Sequence, residues 1–127
     1  MFCINLLAPF CIVAQGPDGY SNVTPEEALS ALRADGGALA LDVRTAAEFV
    51  GELGHVKGAT LIPVEELSAR VGELEAYKQK KIYIFCRSGH RSRTAGSLLA
   101  KAGFKKLFNV TTGMMGVNAV PGAPIER

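Results

Sequence analysis

Ile82-Tyr83-Ile84-Phe85-Cys86-Arg87-Ser88-Gly89-His90-Arg91-Ser92 is the stretch that decides the fold of this chain. Its apolar opening reads as a short strand buried on both faces, as parallel strands are. Polar residues and a glycine follow at once. Then Ala95, Leu98, Leu99 and Ala102 recur at helical spacing until Gly103 closes the pattern. Strand, tight turn and helix are therefore predicted in succession. A turn of this kind leaves backbone N–H groups unpaired and directed into its concavity, where their dipoles favour negative charge. A cysteine there, flanked by Arg87 and Arg91, should have its pKa drawn below the roughly 8.5 of a free thiol. The stretch points to cysteine chemistry on an anionic substrate.

The same alternation extends outward. Thr24-Pro25-Glu26-Glu27 combines an N-cap, a proline at N1 and a capping-box glutamate, which predicts a helix to about Ala34, stopped by Gly36-Gly37. Residues 38–43 form an apolar run with Asp42 near its end and read as a second buried strand. Thr45-Ala46-Ala47-Glu48 repeats the capping box and starts a short helix. Residues 59–62 read as a strand ended by Pro63. Val64, Leu67, Val71 and Leu74 are spaced for one helix face, and residues 107–110 for another short strand. Strands alternating with helices predict a three-layer α/β domain with a mainly parallel sheet, whose ligand site lies beyond the carboxyl ends of the strands. Cys86 sits at such an end.

A length of 127 residues, 48% of them apolar and 20% charged, suits one globular domain with a real core. An apolar extension with a linker, residues 1–19, is set apart from a domain over residues 20–127. The extension begins MFCINLLAPFCIVAQ and ends in Val13-Ala14-Gln15, like the apolar core and small-residue end of a secretory signal, although a charged n-region is missing. It is short for a stable membrane span, which needs about 20 residues. Export to a periplasmic destination is one reading. A mis-assigned start or an ordinary buried strand, in a cytoplasmic protein, is the other. Cys3 and Cys11 lie in this tract, so cleavage near Ala14 would leave Cys86 as the only cysteine. The cysteines show neither a CxxC pair nor metal-ligand spacing, and their odd number argues against a closed disulfide framework.

Every charged residue from 78 to 106 is basic, while carboxylates concentrate between 26 and 75. That asymmetry either draws small anions toward Cys86 or is a solvated basic face beside an acidic one. Interleaved aromatics that would stack on bases are lacking, which argues against nucleic acid.

Cys86 reads as a reactive thiol and not as a small core hydrophobe, because no packing argument explains the polar run directly after a buried strand. Arg91 starts the helix, where its guanidinium can bend back over the loop to hold an oxyanion. Arg87 either does the same or faces solvent. Ser88, Gly89 and Ser92 are expected to supply backbone N–H groups and a helix cap. His90 is either an acid or base or an ordinary loop residue. Asp42 and Arg44 leave the earlier strand on the active edge of the sheet, where they either support the cysteine loop or pair for structure. His55 is expected to make a structural hydrogen bond, with no metal partner near it.

Several of these segments together resemble a single-domain rhodanese, a thiosulfate and persulfide sulfurtransferase. Leu41-Asp42-Val43-Arg44 with Glu48-Phe49 is similar to that family's LDVR and EF segment. Gly54-His55-Val56-Lys57-Gly58-Ala59 resembles GHI-x-GA, and Ile62-Pro63 resembles NIP. Residues 86–92 resemble the active loop, residues 98–104 LL-x-x-AGF, and Gly113-Met114 GGM; the likeness covers residues 20–124. It implies a three-layer rhodanese-like domain with a mainly parallel five-stranded sheet and helices on both faces. It also implies catalysis without metal or organic cofactor. Cys86 would take the outer sulfur of a small anionic donor, thiosulfate or a persulfide, and hold it as a persulfide for a thiol or cyanide acceptor. The residue 87–92 loop would stabilise that anion, with Arg91 and Arg87 binding the donor, in a protein expected to be a monomer. Thr112 stands where the family commonly has glycine and Val117 where tryptophan is common, and the segment between Phe49 and Gly54 is longer than usual. These departures bear on substrate preference, not on the nucleophile.

Two other functions fit parts of the pattern. Cysteine phosphatases and arsenate reductases place an arginine six positions after the cysteine, whereas here Arg91 is the fifth residue and Ser92 the sixth. A persulfide carrier or partner-docking module would use the basic face as its contact surface, and the thiol within a polar cradle speaks for more than scaffolding.

Overall fold

In the computed structural model, which describes residues 16–127, five strands form one wholly parallel sheet in the order β1-β6-β5-β2-β4. These strands are β1 (Ser21–Val23), β2 (Leu39–Asp42), β4 (Thr60–Leu61), β5 (Ile82–Phe85) and β6 (Leu107–Val110). A separate antiparallel ribbon joins β3 (His55–Val56) to β7 (Ile125–Glu126). The α/β class and the five-stranded parallel sheet expected from the sequence are both present. The signal-like tract of residues 1–15, with Cys3 and Cys11, lies outside the described residues.

Side-chain alternation along β5 makes the three layers. Ile82 and Ile84 face α3 (Val64–Arg70) and α4 (Arg91–Lys101), joining Leu67, Leu74, Ala95 and Leu99 in one buried cluster. Tyr83 and Phe85 face the other way, toward α1 (Pro25–Ala34) and α5 (Gly113–Asn118), and meet Ala28, Leu29, Met114 and Val117. Both sides of the sheet are thus covered, as a parallel sheet requires.

Both sequence-encoded capping boxes form. Thr24 caps α1 with Glu27, and Thr45 caps α2 (Ala46–Phe49) with Glu48. The single helix expected from Val64 to about Leu74 divides: α3 ends at Arg70 and a 3₁₀ helix continues over Val71–Tyr77. The tighter winding keeps Leu67 and Leu74 buried, while Gly72 lies in open space at a point of low helix propensity. β1, β3, β7 and α5 carry no periodic signal because each is too short to show one.

The end of β2 is pinned by a buried ion pair. Arg44, 1% exposed, donates from Nε to Asp42 Oδ1 at 2.9 Å and from Nη2 to Asp42 Oδ2 at 2.7 Å. Its guanidinium also donates to the carbonyls of Glu48 (3.2 Å) and Gly54 (2.7 Å). One cation thereby ties β2, α2 and the approach to β3 together. Arg44→Met would leave the Asp42 carboxylate buried without a counter-charge. Urea unfolding should show a loss of about 3–5 kcal/mol, with part of it recovered when Asp42→Asn is added.

Candidate active site

Parallel strands bring the loops after β2, β5 and β6 to one edge of the sheet, and Cys86 is the first residue beyond β5. Its sulfur lies at the floor of the loop, and the residue is 1% exposed. The Gly89 N–H donates to Sγ at 3.0 Å, made possible by a φ of 98° at Gly89 that a side chain would oppose. The Cys86 thiol in turn donates to Ser92 Oγ at 3.4 Å. Burial is the largest influence on this thiol and pushes its pKa up. The Ser92 hydroxyl and the amides of Ser92, Gly89 and Ser88 together outweigh it and hold the pKa below its ordinary value. The lowering anticipated from the sequence is present, and inward-pointing donors produce it more than the flanking guanidinium groups do.

Ser92 does not cap α4 as its position suggested. The helix starts at Arg91, and the residue before it, His90, makes no side-chain cap. Of the first-turn amides, that of Ser92 is directed to the cysteine sulfur, which there takes the place that an N-cap oxygen occupies in other helices, while the Arg93 amide donates to the His90 carbonyl at 3.2 Å. The Ser92 hydroxyl, fully buried, donates instead to Asn109 Oδ1 on β6.

The loop is held from below by α5. Met114 N–H donates to the Cys86 carbonyl at 2.8 Å and Met115 N–H to the Arg87 carbonyl at 3.0 Å. A Cβ on Gly113 would come within 2.3 Å of the Cys86 carbonyl oxygen, so only glycine permits this approach. Thr112, in the place where the family commonly has glycine, adopts a left-handed φ of 61°. That conformation costs a β-branched residue roughly 1–2 kcal/mol. Val117 is fully buried among the residues under α1.

Arg91 starts α4 as expected, but its guanidinium forks onto Glu48, with Nη1 and Nη2 each 2.8 Å from a carboxylate oxygen. The fork holds the Glu48 carboxyl down at about 2 against partial burial, aided by the Thr45 amide; Arg91 is pushed up, chiefly by its hydrogen bonds to Glu48. Glu48 was legible only as a capping residue, and its second role needs a partner 43 positions away. Arg87 is exposed, and no ion pair or side-chain hydrogen bond engages its guanidinium among the described residues. His90 is exposed, and its Nδ1 accepts from Arg93 at 2.9 Å. Asp42 and Arg44 make no hydrogen bond to the cysteine loop. Their support reaches it through α2, since Arg44 holds the Glu48 carbonyl while the Glu48 carboxylate holds Arg91. His55 makes the anticipated structural contact, Nδ1 to the Phe49 carbonyl at 2.7 Å, with its ring stacked on Phe49.

Asn109 was missed. A lone amide inside an otherwise apolar strand was the available signal, because a buried polar side chain demands partners. Among the described residues no group of three His, Cys, Asp or Glu side chains is placed to hold a metal ion, and no helix is long and apolar enough to cross a membrane.

The Glu48 carboxyl titrates near 2 in the folded protein, against an ordinary 4.5. The folded state therefore binds fewer protons, and this group stabilises above about pH 4.5, the contribution falling away as pH drops toward 2. Denaturation at a series of pH values should find Glu48→Gln less stable than the parent at neutral pH, with the gap closing across that acid window.

A family model described as the Rhodanese-like domain matches residues 24–119. "Putative sulfur carrier protein YrkF" of Bacillus subtilis is 43% identical over 74 residues, which are 58% of this chain and 38% of that protein. The tRNA uridine(34) hydroxylase of Escherichia coli K12 is 32% identical over 91 residues, covering 68% of this chain and 25% of that protein. The chain thus spans well under half the length of these curated relatives. A rhodanese-like domain protein from Staphylococcus aureus superposes with a TM-score of 0.70 at 26% identity, over 84% of this chain and 99% of its own. The rhodanese-like domain of Alr3790 from Anabaena gives 0.71 at 27% identity, over 83% of this chain and 77% of its own.

Proposed function

This chain belongs to the rhodanese-like domain family, and on that premise we propose that it is a sulfurtransferase of the thiosulfate:cyanide type, working through a persulfide on Cys86. The observation that carries the reading is the ring of donors from Ser88, Gly89 and Ser92 around one buried sulfur. Such a ring stabilises an anion in a place where burial would otherwise forbid it.

The balance is simple. The Cys86 thiolate attacks the outer sulfur of thiosulfate, a sulfur–sulfur bond forms to Cys86, and sulfite leaves with the electron pair of the old bond. The negative charge passes to the outer sulfur of the persulfide, within reach of the loop amides. A thiolate acceptor, or cyanide in an assay, then attacks that outer sulfur and Cys86 departs as thiolate. No net oxidation occurs in either half, and no cofactor is called for.

Arg87 supplies the uncompensated positive charge that receives a dianionic donor, since Glu48 already neutralises much of Arg91. Arg91 thus acts chiefly as a brace of the loop, while Ser88, Gly89 and Ser92 bind the sulfur. His90 borders the mouth of the loop. With so little of Cys86 exposed, the exposed limb of the loop, Arg87 and Ser88, has to yield as the donor enters. A carrier role, in which the persulfide is handed to a protein acceptor, uses the same first half-reaction. The likeness to a protein named as a sulfur carrier favours keeping it as the second reading.

Mass spectrometry of the protein after thiosulfate treatment should show a gain of one sulfur atom on the peptide bearing Cys86, with no gain in Cys86→Ser. Sulfur uptake without thiocyanate release would select the carrier over the enzyme. Because Arg91 is one position nearer the cysteine than in the phosphatases, turnover of an aryl phosphate is expected to be absent, and robust phosphatase activity would overturn the assignment.

A further inference from the structure

A line of polar side chains runs from the sulfur through the protein interior to the surface. Cys86 donates to Ser92 Oγ, Ser92 donates to Asn109 Oδ1, and Asn109 Nδ2 donates to Asn22 Oδ1 at 2.9 Å. Ser92 is fully buried and Asn109 is 2% exposed, whereas Asn22, its register partner on β1, is exposed. At the outer end, Asn22 and Asn109 border a cavity of about 190 Å³ together with Ser88, Arg93 and Thr111. No buried side-chain nitrogen or oxygen among the described residues lacks a partner in this arrangement.

Every donor in this line points outward, which suits a protonated sulfur. A thiolate only accepts. When Cys86 ionises, Ser92 turns its single proton to the sulfur, and Ser92 Oγ then faces Asn109 Oδ1 with no proton between them. Two buried acceptors in that position are costly. A carboxamide has a remedy that a carboxylate lacks, because rotation by half a turn exchanges its donor and acceptor ends. With Asn109 turned over, Nδ2 donates to Ser92 and Oδ1 accepts from Asn22. The exposed amide of Asn22 turns likewise and meets water.

We propose that Ser92, Asn109 and Asn22 form a reversible hydrogen-bond chain that changes direction with the charge on Cys86, making Asn109 a positioning residue for the nucleophile. The chain rests on the sulfur-transfer reading for its use, but it operates on ionisation of the thiol alone and is tested there. Both directions make the same set of bonds, so a nearly inaccessible sulfur passes between thiol and thiolate without leaving a buried polar atom unpaired. The charged groups around the sulfur are Arg87 and His90 of its own loop, Arg91 and Arg93 of α4, Glu48 of α2, Glu65 of α3 and the Asp42–Arg44 pair of β2. None of them is substituted in the test.

Asn22→Asp installs an acceptor-only group at the exposed end. It holds Asn109 Nδ2 toward itself, hence Oδ1 toward Ser92 and the Ser92 proton away from the sulfur. Asn22→Ala puts water there, which serves either direction. The ionisation midpoint of Cys86 is read from the pH dependence of iodoacetamide alkylation, followed on the peptide that carries it. Salt at 1 M cuts the screening length to about 3 Å and removes the through-space effect of the new charge. Asn22→Asp should raise the midpoint by about one pH unit, a tenfold fall in thiolate at lower pH, and Asn22→Ala should leave it near the parent value. In a Ser92→Ala background the Asp effect should vanish. Equal shifts in the two variants, no shift in Asn22→Asp, or a shift that persists without the Ser92 hydroxyl each overturn the chain. A normal shift in protein that takes up no sulfur would sink the sulfur-transfer reading and leave the chain standing.

Discussion

Cys86 is 1% exposed, so its sulfur gains little from water and its charge has to be met by the protein. Amides at the end of β5 and in the first turn of α4 do this, and much of the surrounding structure holds them in place. Gly113 lets α5 approach the loop closely enough for Met114 and Met115 to bind the carbonyls of Cys86 and Arg87. With the Arg87 carbonyl drawn down toward α5, the Ser88 N–H of the same peptide is free to turn to the sulfur. The glycine contact and the amide cradle are two sides of one backbone arrangement.

Charge is organised around the same point in nested pairs. Asp42 and Arg44 neutralise each other in the interior and fasten α2. Glu48 at the end of α2 then engages Arg91, which opens α4. The two pairs form a continuous bracket from β2 to the cysteine loop, joined at Glu48, whose carbonyl serves one arginine and whose carboxylate serves the other. On the proposed sulfur-transfer reading, the cation left for an incoming anion is Arg87, exposed on the loop after the thiol. Pairing the charges of the bracket, while Arg87 and Arg93 meet no carboxylate among the described residues, gives the surface of the loop a positive bias and leaves the interior neutral.

The opposite side of the sulfur is neutral and polar. Asn109 stands buried within β6, a position where a side chain without partners would be destabilising, and its side-chain hydrogen bonds lie on the line between Ser92 and Asn22. The cysteine therefore sits between a charged bracket that orients the loop and an amide chain that carries no charge. Thr112 joins β6 to α5 in a left-handed conformation, and its side chain fits because Gly116 leaves room for it. The Thr112 side chain is accommodated against α5, while its backbone packs against Gly89 of the cysteine loop.

Much of this is legible in the sequence. Two capping boxes, the apolar runs of β2 and β5, the stripe of α4 and the polar run after Phe85 are local signals, written in neighbouring residues, and each led to the element found. They also determined that Cys86 would lie at a strand end with free amides before it, because strand-turn-helix order is a property of contiguous sequence. The partners of Arg91 and Ser92, the tight 3₁₀ turn after Arg70, and the short strands β1, β3 and β7 were decided only by tertiary structure. Glu48 and Arg91 are 43 positions apart, and Asn109 and Asn22 are 87 apart. Only the parallel sheet, by bringing distant strand ends to one edge, sets which carboxylate meets which guanidinium and which amide stands behind the sulfur. Spacing in the chain carries no information about that distance in space.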